Sequence, residues 1–238
     1  MAKAGFMTLW RAPHKFRYAL KYRGSDSPLK ILDIGCGNHG PTIAKHYFPN
    51  AEYHGVDIIQ DYNQNADDHA KMDQFFLVQP DGSGYEQIPD NAYDLIVASH
   101  VIEHMSDPYS VLRTLSSKAK PGGIFYISFP SERSLHLPSS VDRERTGTIP
   151  TAATGTLNFC DDDTHTFLPS VREVANVLLP VGFRIVYGGP PQDMVRFLSG
   201  MFVRAPVEWL RYKVLGYRRG KGLWAYYGFE SCVCAVKR

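Results

Sequence analysis

The sequence predicts an α/β fold in three layers, in which a doubly wound sheet of seven strands carries helices on both faces. The first observation is that short apolar runs alternate with helical patterns along the chain, as a mostly parallel sheet requires. The second is a glycine-rich turn at 35–40, between the first apolar run and the first helical pattern. The candidate strands lie near 30–35, 51–58, 74–79, 93–99, 123–129, 183–188 and 229–237.

The first candidate strand ends in a carboxylate and leads directly into a run of glycines. Asp33 precedes Gly35, Gly37 and Gly40, which have the G-x-G-x-x-G spacing. Glycines at this spacing let the backbone approach a ligand, with amide N–H groups pointing toward it. A carboxylate at Asp33 would repel a pyrophosphate and attract a cation. The turn therefore predicts a nucleotide-like ligand that carries positive charge.

The second candidate strand ends in another carboxylate, Asp57, about 20 residues after the glycines. An acidic residue at this place accepts hydrogen bonds from ribose hydroxyls. Because dinucleotide enzymes use the same arrangement, Asp57 indicates a nucleoside without identifying it.

Two later helices have clear start signals. Asp107 followed by Pro108 predicts an N-cap with proline in the first turn, ahead of the apolar stripe Val111, Leu112 and Leu115, and we expect the Pro121-Gly122-Gly123 turn to end that helix. Ser170 and Glu173 predict a capping box at the start of a second helix. Both helices fit the alternation of strands and helices.

Composition limits the class of protein. The 238 residues suit a single domain over 1–238, with 44% hydrophobic and 21% charged residues. A net charge of +2 gives no indication of a nucleic-acid partner. No apolar run approaches the roughly 18 residues of a membrane span, and the N-terminal segment has no signal-peptide core, so we expect a soluble, cytoplasmic protein. Cys232 and Cys234 alternate along the last strand and should be reduced, buried and on one face.

With these motifs, the chain resembles the class I (Rossmann-like) S-adenosylmethionine-dependent methyltransferases of small molecules. The D-x-G-x-G turn is similar to the first motif of that family. Residues 88–97, ending in Tyr93-Asp94-Leu95-Ile96-Val97, resemble its fourth-strand motif, and 121–128 resemble its turn into strand five. The resemblance extends over residues 30–189.

The resemblance implies a fold, a cofactor and a reaction. The last strand should run antiparallel, between strands five and six. The cofactor would be S-adenosyl-L-methionine and the product S-adenosyl-L-homocysteine. The reaction would be methyl transfer by in-line displacement to an O, N or C nucleophile of a small-molecule or lipid-like acceptor. The residues implied to bind the cofactor are Asp33, Gly35, Cys36, Gly37, Asp57, Ile58, Asp81, Gly82, Ser99 and His100.

Methyl transfer needs alignment and exclusion of water, and a proton-bearing acceptor also needs a general base. His104 and His165 are the candidates. His104 could instead orient the following helix, and His165 could help to position Ser170. Clustered acidic residues at 161–163 raise the possibility of a divalent metal. We expect a solvated acidic turn there and no metal site.

Two segments fit no core element. Residues 131–165 are expected to form a substrate loop between the cofactor-binding core at 29–130 and the late helix. Residues 191–222 mix apolar side chains with arginines and are expected to form a lid-like insertion, assisted by a basic N-terminal arm at 1–28. The insertion could touch a membrane surface peripherally, or it could simply pack on the core.

Other functions remain open. A non-catalytic scaffold of the same fold would keep these motifs. An NAD-dependent oxidoreductase is disfavoured by Asp33. No nucleic-acid partner is expected, and the sequence leaves the acceptor and the oligomeric state undetermined.

Overall fold

A computed structural model describes residues 12–148, 154–191 and 194–238. Residues 1–11, 149–153 and 192–193 lie outside the described residues. The start of the N-terminal arm, part of the substrate loop and the start of the insertion fall among them. The expectations for these three segments are compared with the structure at their other residues only.

The core is a seven-stranded sheet with the order β3-β2-β1-β4-β5-β7-β6. Strands β1 to β5 pair in parallel, and β7 is antiparallel to both β5 and β6. The predicted fold class and the insertion of the last strand between strands five and six are confirmed. The strands are β1 Lys30–Ile34, β2 Glu52–Asp57, β3 Gln74–Leu77, β4 Tyr93–Ser99, β5 Ala119–Pro130, β6 Phe183–Gly189 and β7 Glu230–Lys237.

Helices cover both faces of this sheet. Asp107 caps its helix by accepting a hydrogen bond from the Ser110 amide at 3.0 Å, and Ser170 and Glu173 form the predicted capping box. The helices are α1 His14–Arg23, α2 Gly40–Tyr47, α3 Ala66–Lys71, α4 Pro108–Lys118, α5 Arg143–Thr146, α6 Val171–Leu178, α7 Met194–Ser199, α8 Ala205–Leu215 and α9 Trp224–Tyr227. A π-helical turn at Gly200–Arg204 joins α7 to α8.

Two apolar clusters fill the space between the sheet and its helices. One lies under α4 and α6, and the other lies under α1 and α2. Cys232 and Cys234 are buried in the second cluster, while Val233 and Ala235 belong to the first. Both thiols are therefore on one face of β7, as predicted, and all the cysteines are free.

Two predicted boundaries differ from the structure. Helix α4 ends at Lys118 and β5 begins at Ala119, so the Pro121-Gly122-Gly123 turn lies inside the strand rather than ending the helix. Residues 14–23 of the N-terminal segment do not form a free arm, because α1 buries Phe16, Ala19 and Leu20 against the sheet. Burial of these side chains makes α1 part of the core.

Within the described ranges, no helix is both long enough and apolar enough to cross a membrane.

Candidate active site

A cavity of about 450 Å³ opens where β1, β2 and β4 end. Strand β1 lies between β2 and β4, so the order of the sheet reverses at this point. Open α/β sheets bind their ligands at this crevice, beyond the carboxyl ends of the strands. Gly35, Asp57 and Ser99 follow or end the strands here, and all three line the cavity.

The glycine turn needs its glycines for two different reasons. Gly35 has a φ of 71°, a left-handed conformation that strains other residues. Gly37 lacks space, because a Cβ there would lie 2.7 Å from the ring and carbonyl of Tyr62. The Gly35 amide donates to the Val56 carbonyl at 2.8 Å, which holds the turn against β2. Gly35 lines the cavity, whereas Gly37 supports the turn without lining it.

Asp33 and Cys36 are buried outside the cavity lining. The Asp33 Oδ2 accepts a hydrogen bond from the Tyr53 hydroxyl at 2.8 Å and pairs with Lys15 at 3.4 Å. Its Oδ1 is buried and has no hydrogen-bond partner among the described residues. Burial raises the pKa of the Cys36 thiol to about 12, so the thiol stays protonated. Both side chains therefore lie on the buried side of the turn, away from the cavity.

The two later carboxylates have different surroundings. Asp57 lines the cavity and accepts a hydrogen bond from the Ile58 amide at 2.8 Å, and burial raises its pKa. Ile58 also lines the cavity. Asp81 is exposed, and its Oδ1 accepts from the Ser83 amide at 2.9 Å. Gly82 lines the cavity, but Asp81 does not. The structure therefore brings Asp57, and not Asp81, to the cavity.

His100 lines the cavity, is partly buried and lies between two carboxylates. Its Nδ1 lies 3.1 Å from Glu103 and its Nε2 lies 3.4 Å from Glu230. Burial alone would lower the pKa of His100, but these carboxylates outweigh it and raise the pKa to about 10. Its ring packs against that of Trp224, with centroids 4.6 Å apart and planes tilted by 38°. The backbone φ of His100 is 54°. His100 directly follows β4, and its left-handed backbone conformation is strained for a residue other than glycine.

The two candidate catalytic histidines lie next to each other in the cavity lining. The ring centroids of His104 and His165 are 4.8 Å apart, and both residues line the cavity. The Nδ1 of His165 donates to the Phe159 carbonyl at 2.8 Å, so the residue is anchored to Phe159 rather than to Ser170. Burial lowers the pKa of His165, which favours the neutral ring.

The Nδ1 of His104 lies 2.9 Å from the Thr164 hydroxyl. That hydroxyl donates its own proton to Asp162, so its oxygen accepts the proton of His104 Nδ1. His104 is thus held by the substrate loop rather than only by its own helical turn.

The expectation of a solvated acidic turn at 161–163 is wrong for Asp161. This carboxylate is only 2% exposed and accepts hydrogen bonds from the Ser139 hydroxyl and from three backbone amides. Burial raises its pKa, but these donors outweigh that effect and lower the pKa overall. Asp161 therefore ties the two halves of the substrate loop together. The amide donors are Ser140, Leu157 and Asn158.

The insertion meets the cavity at one residue. Of its described part within 191–222, Lys221 alone lines the main cavity. A second, smaller cavity shares Lys221 and Gly155 with the first and is also lined by Arg204, Arg219 and Glu208. No described residue of the N-terminal segment lines either cavity. The structure thus gives α1 no part in covering the site.

Several lining residues carry no motif in the sequence. Tyr62, Val78, Tyr85 and Val111 form an apolar and aromatic wall of the cavity, and Trp224 reaches it from beyond the insertion. Their positions depend on how loops return to the sheet, which a single sequence does not reveal. Only the place of Val78, at the end of the third strand, could have indicated its role.

The cavity suits a cationic nucleoside cofactor. Asp57 can meet ribose hydroxyls, and the apolar wall can cover a base. Lining carboxylates outnumber the lining cations His100 and Lys221, which favours a positively charged ligand over a pyrophosphate. These carboxylates are Asp57, Glu103, Asp161, Asp162 and Asp163.

The fold and the cavity together define a Rossmann-like protein with a nucleotide-type site. The sequence model of one family, the methyltransferase domain, matches residues 9–187. The chain therefore belongs to the methyltransferase-domain family, which confirms the resemblance to S-adenosylmethionine-dependent methyltransferases.

Two curated relatives are also named as methyltransferases. The chain is 31% identical over 124 residues to an uncharacterized methyltransferase of Schizosaccharomyces pombe, covering 48% of this chain and 44% of the relative. It is also 31% identical over 119 residues to a ubiquinone biosynthesis O-methyltransferase of Yersinia pestis, covering 49% and 48% respectively. The chain thus aligns with about half the length of these relatives.

A solved structure supports the fold. Haemonchus contortus phosphoethanolamine N-methyltransferase 2, in complex with phosphomonomethylethanolamine and S-adenosylhomocysteine, superimposes with a TM-score of 0.59. The identity is 14%, and the match covers 94% of this chain and 52% of that one.

Proposed function

We propose that this protein transfers the methyl group of S-adenosylmethionine to an oxygen, nitrogen or carbon nucleophile of an anionic, small or lipid-like acceptor. The observation that carries the proposal is one cavity that is lined both by Gly35 and Asp57 and by His104 and His165. A cofactor and an acceptor could therefore meet without an intervening wall.

Family membership implies the cofactor, and the lining residues suit it. Gly35 and Ser99 offer backbone groups, Asp57 offers acceptors for the ribose, and Tyr85 and Val111 offer an apolar surface for adenine. The acidic lining favours the ammonium and sulfonium charges of the cofactor. When bound, S-adenosylmethionine supplies an electrophilic methyl group. The protein's own contribution is to orient the two reactants and exclude water.

The acceptor side offers general bases. The Nδ1 atoms of His104 and His165 are engaged by hydrogen bonds, which leaves each Nε2 with a lone pair. A neutral imidazole near the reacting atom can take up a proton at neutral pH. Either ring would serve an acceptor that carries a hydroxyl or an ammonium.

The second cavity favours a negative charge on the acceptor. Arg204, Arg219 and Lys221 line it together with a single carboxylate, Glu208. Glu208 already accepts from the Arg219 amide at 2.8 Å and lies 3.5 Å from Arg211. The lining of the second cavity therefore has a net positive charge, whereas that of the main cavity has a net negative charge.

The surface of α8 and of the π-helical turn before it favours an amphiphilic acceptor or a membrane nearby. Phe202 is 70% exposed and Trp209 is 59% exposed, next to Val203, Leu210 and Val214, which are also exposed. Lys213 lies 5.9 Å from the centroid of the Trp209 ring. Exposed apolar side chains bordered by cations can rest on an anionic lipid surface.

Calorimetric titration with S-adenosylhomocysteine, S-adenosylmethionine and NAD tests the cofactor part. We expect the first two to bind and NAD to bind far more weakly. Preferential binding of NAD would contradict the proposal.

Transfer of a labelled methyl group tests the rest. The acceptors should be pairs of amphiphiles that differ only in carrying a carboxylate or phosphate in place of a neutral head group. We expect labelling of the anionic member of a pair. Cofactor binding without transfer to any acceptor would favour the non-catalytic alternative.

A further inference from the structure

The main cavity contains a cluster of side chains that the sequence separates widely. One ligand-type atom from each of Glu103, His104 and His165 lies within 4.8 Å of the others. Glu103 and His104 follow β4, whereas His165 comes from the far end of the substrate loop. All three residues line the cavity, and His104 is the exposed member of the cluster.

Hydrogen bonds fix the tautomers of both imidazoles. The Phe159 carbonyl can only accept, so His165 carries its proton on Nδ1. The Thr164 hydroxyl donates to Asp162 and accepts from His104, so His104 also carries its proton on Nδ1. Each ring therefore presents the lone pair of Nε2. Metal-binding histidines are held in this way, because the nitrogen that does not bind the ion donates to an oxygen.

Glu103 supplies the anionic member of the cluster. Its side chain is fully buried, and one oxygen pairs with His100 at 3.1 Å. The other oxygen, Oε2, is buried and has no hydrogen-bond partner in the part of the chain that the structure describes. An unpaired buried carboxylate oxygen is costly, and a cation would satisfy it.

We propose that Glu103, His104 and His165 bind a divalent transition-metal ion in the main cavity. Two imidazole nitrogens with one carboxylate suit manganese, iron, cobalt or zinc, whereas magnesium and calcium prefer sets composed of oxygen atoms. The proposal departs from the sequence-based expectation of no metal site. The acidic residues at 161–163 are not members of this cluster, although the Oδ2 of Asp162 lies 3.9 Å from the Nε2 of His165.

The three ligand atoms must move slightly closer together to bind one ion. Bonds of about 2.1 Å place two ligands of one ion at most about 4.2 Å apart. The observed spread of up to 4.8 Å exceeds this limit by several tenths of an ångström. His104 is exposed and can make this movement, while Glu103 and His165 are held more firmly.

The metal site does not depend on the proposed methyl transfer, but its role in the reaction rests on that function. Three protein ligands leave positions open for an oxygen of the acceptor. A coordinated acceptor hydroxyl would have a lowered pKa and would release its proton to solvent. The two imidazoles would then act as ligands and not as general bases. An acceptor with an oxygen nucleophile is favoured over one with carbon or nitrogen.

Cobalt(II) is the probe for this site. After treatment with a chelator, the protein should be titrated with CoCl₂ by calorimetry and by visible absorption, since the d–d bands of Co²⁺ change when protein ligands replace water. We expect one Co²⁺ per chain. The H104N and H165N variants should weaken binding at least about tenfold, since even loss of an outer-shell partner costs that much. The H46N variant, which changes an exposed histidine on α2, should bind as the wild type does.

S-adenosylhomocysteine binding provides the folding control. Variants that keep this binding but lose Co²⁺ support the site. Should a variant fail to fold, the wild-type titration still decides, because absence of saturable Co²⁺ binding overturns the proposal. Equal Co²⁺ affinity in wild type and in folded H104N and H165N would overturn it as well. Co²⁺ binding without cofactor binding would count against the proposed function and leave the metal site standing.

Discussion

Replacing Asp161 by asparagine tests whether this buried carboxylate organises the substrate loop. Its Oδ2 accepts the amides of Ser140, Leu157 and Asn158 at 2.9–3.0 Å. The asparagine oxygen can occupy the same place, so the hydrogen bonds persist but lose the charge. Charge-assisted hydrogen bonds contribute about 1.5–3 kcal/mol and neutral ones about 1 kcal/mol. Summed over the amide donors, this loss should lower the free energy of unfolding of D161N by about 2–4 kcal/mol.

Urea denaturation followed by circular dichroism measures this change, and D163N is the matched control. Asp163 is exposed, two residues along the chain, so its neutralisation should change the free energy of unfolding by less than about 0.5 kcal/mol. If D161N were as stable as D163N, the carboxylate would not stabilise the loop and the reasoning would be refuted.

The pH dependence gives an independent check on the same residue. The pKa of Asp161 is lowered in the folded protein, so its contribution is present above the unfolded value of about 3.9. That contribution is lost as the pH falls through the folded pKa. The stability difference between wild type and D161N should therefore shrink below about pH 4. A difference that stays constant there would contradict the assigned cause.

Three further predictions concern the cofactor and the surface. D57A should weaken S-adenosylhomocysteine binding more than about tenfold in calorimetry, because a charged acceptor is lost, whereas D81A should change it less than about twofold. G37V should abolish that binding while leaving a folded protein by circular dichroism, since the added side chain collides with Tyr62; unchanged affinity would show that the turn can move aside. W209S should reduce sedimentation with anionic liposomes at low salt and leave cofactor binding intact, and an unchanged sedimented fraction would rule out contact through α8.

The sequence predicted the sheet well because the relevant information is local. Strand β4 matches its predicted range of 93–99, and the caps at Asp107 and Ser170 depend on residues within one turn. The predicted end of α4 at the Pro121-Gly122-Gly123 turn is wrong, because pairing with β4 overrides a local turn signal and the helix ends at Lys118. In the structure β5 starts early, where Ala119 pairs with Tyr93 on β4 before the register shifts.

The candidate site is most directly predictable where a strand end fixes a residue. Gly35, Asp57 and Ser99 line the cavity, since each lies at the carboxyl end of a strand. In the sequence, the charge of Asp33 predicts a cationic ligand. In the structure, Tyr53 and Lys15 hold this carboxylate behind the turn, outside the cavity lining. The pairing of His104 with His165 depends on the return path of the substrate loop, and no local pattern encodes that path.

The substrate loop and the insertion also act as one unit, which changes how the acceptor site should be probed. Val141 bridges to Tyr217, and the Arg218 amide donates to the Ser140 carbonyl at 2.8 Å. Arg145 donates to the carbonyls of Lys213 and Val214, which satisfies the end of α8.

Removing residues 191–222 would strip these partners from the loop that carries His165. Because buried carbonyls and amides without partners are costly, such a deletion would disturb the candidate base together with any lid. Loss of methyl transfer in the deletion would therefore not distinguish a cover from a structural support. Single changes on the exposed face, such as W209S, leave the hydrogen bonds between loop and insertion in place. They separate contact with an amphiphile from maintenance of the fold.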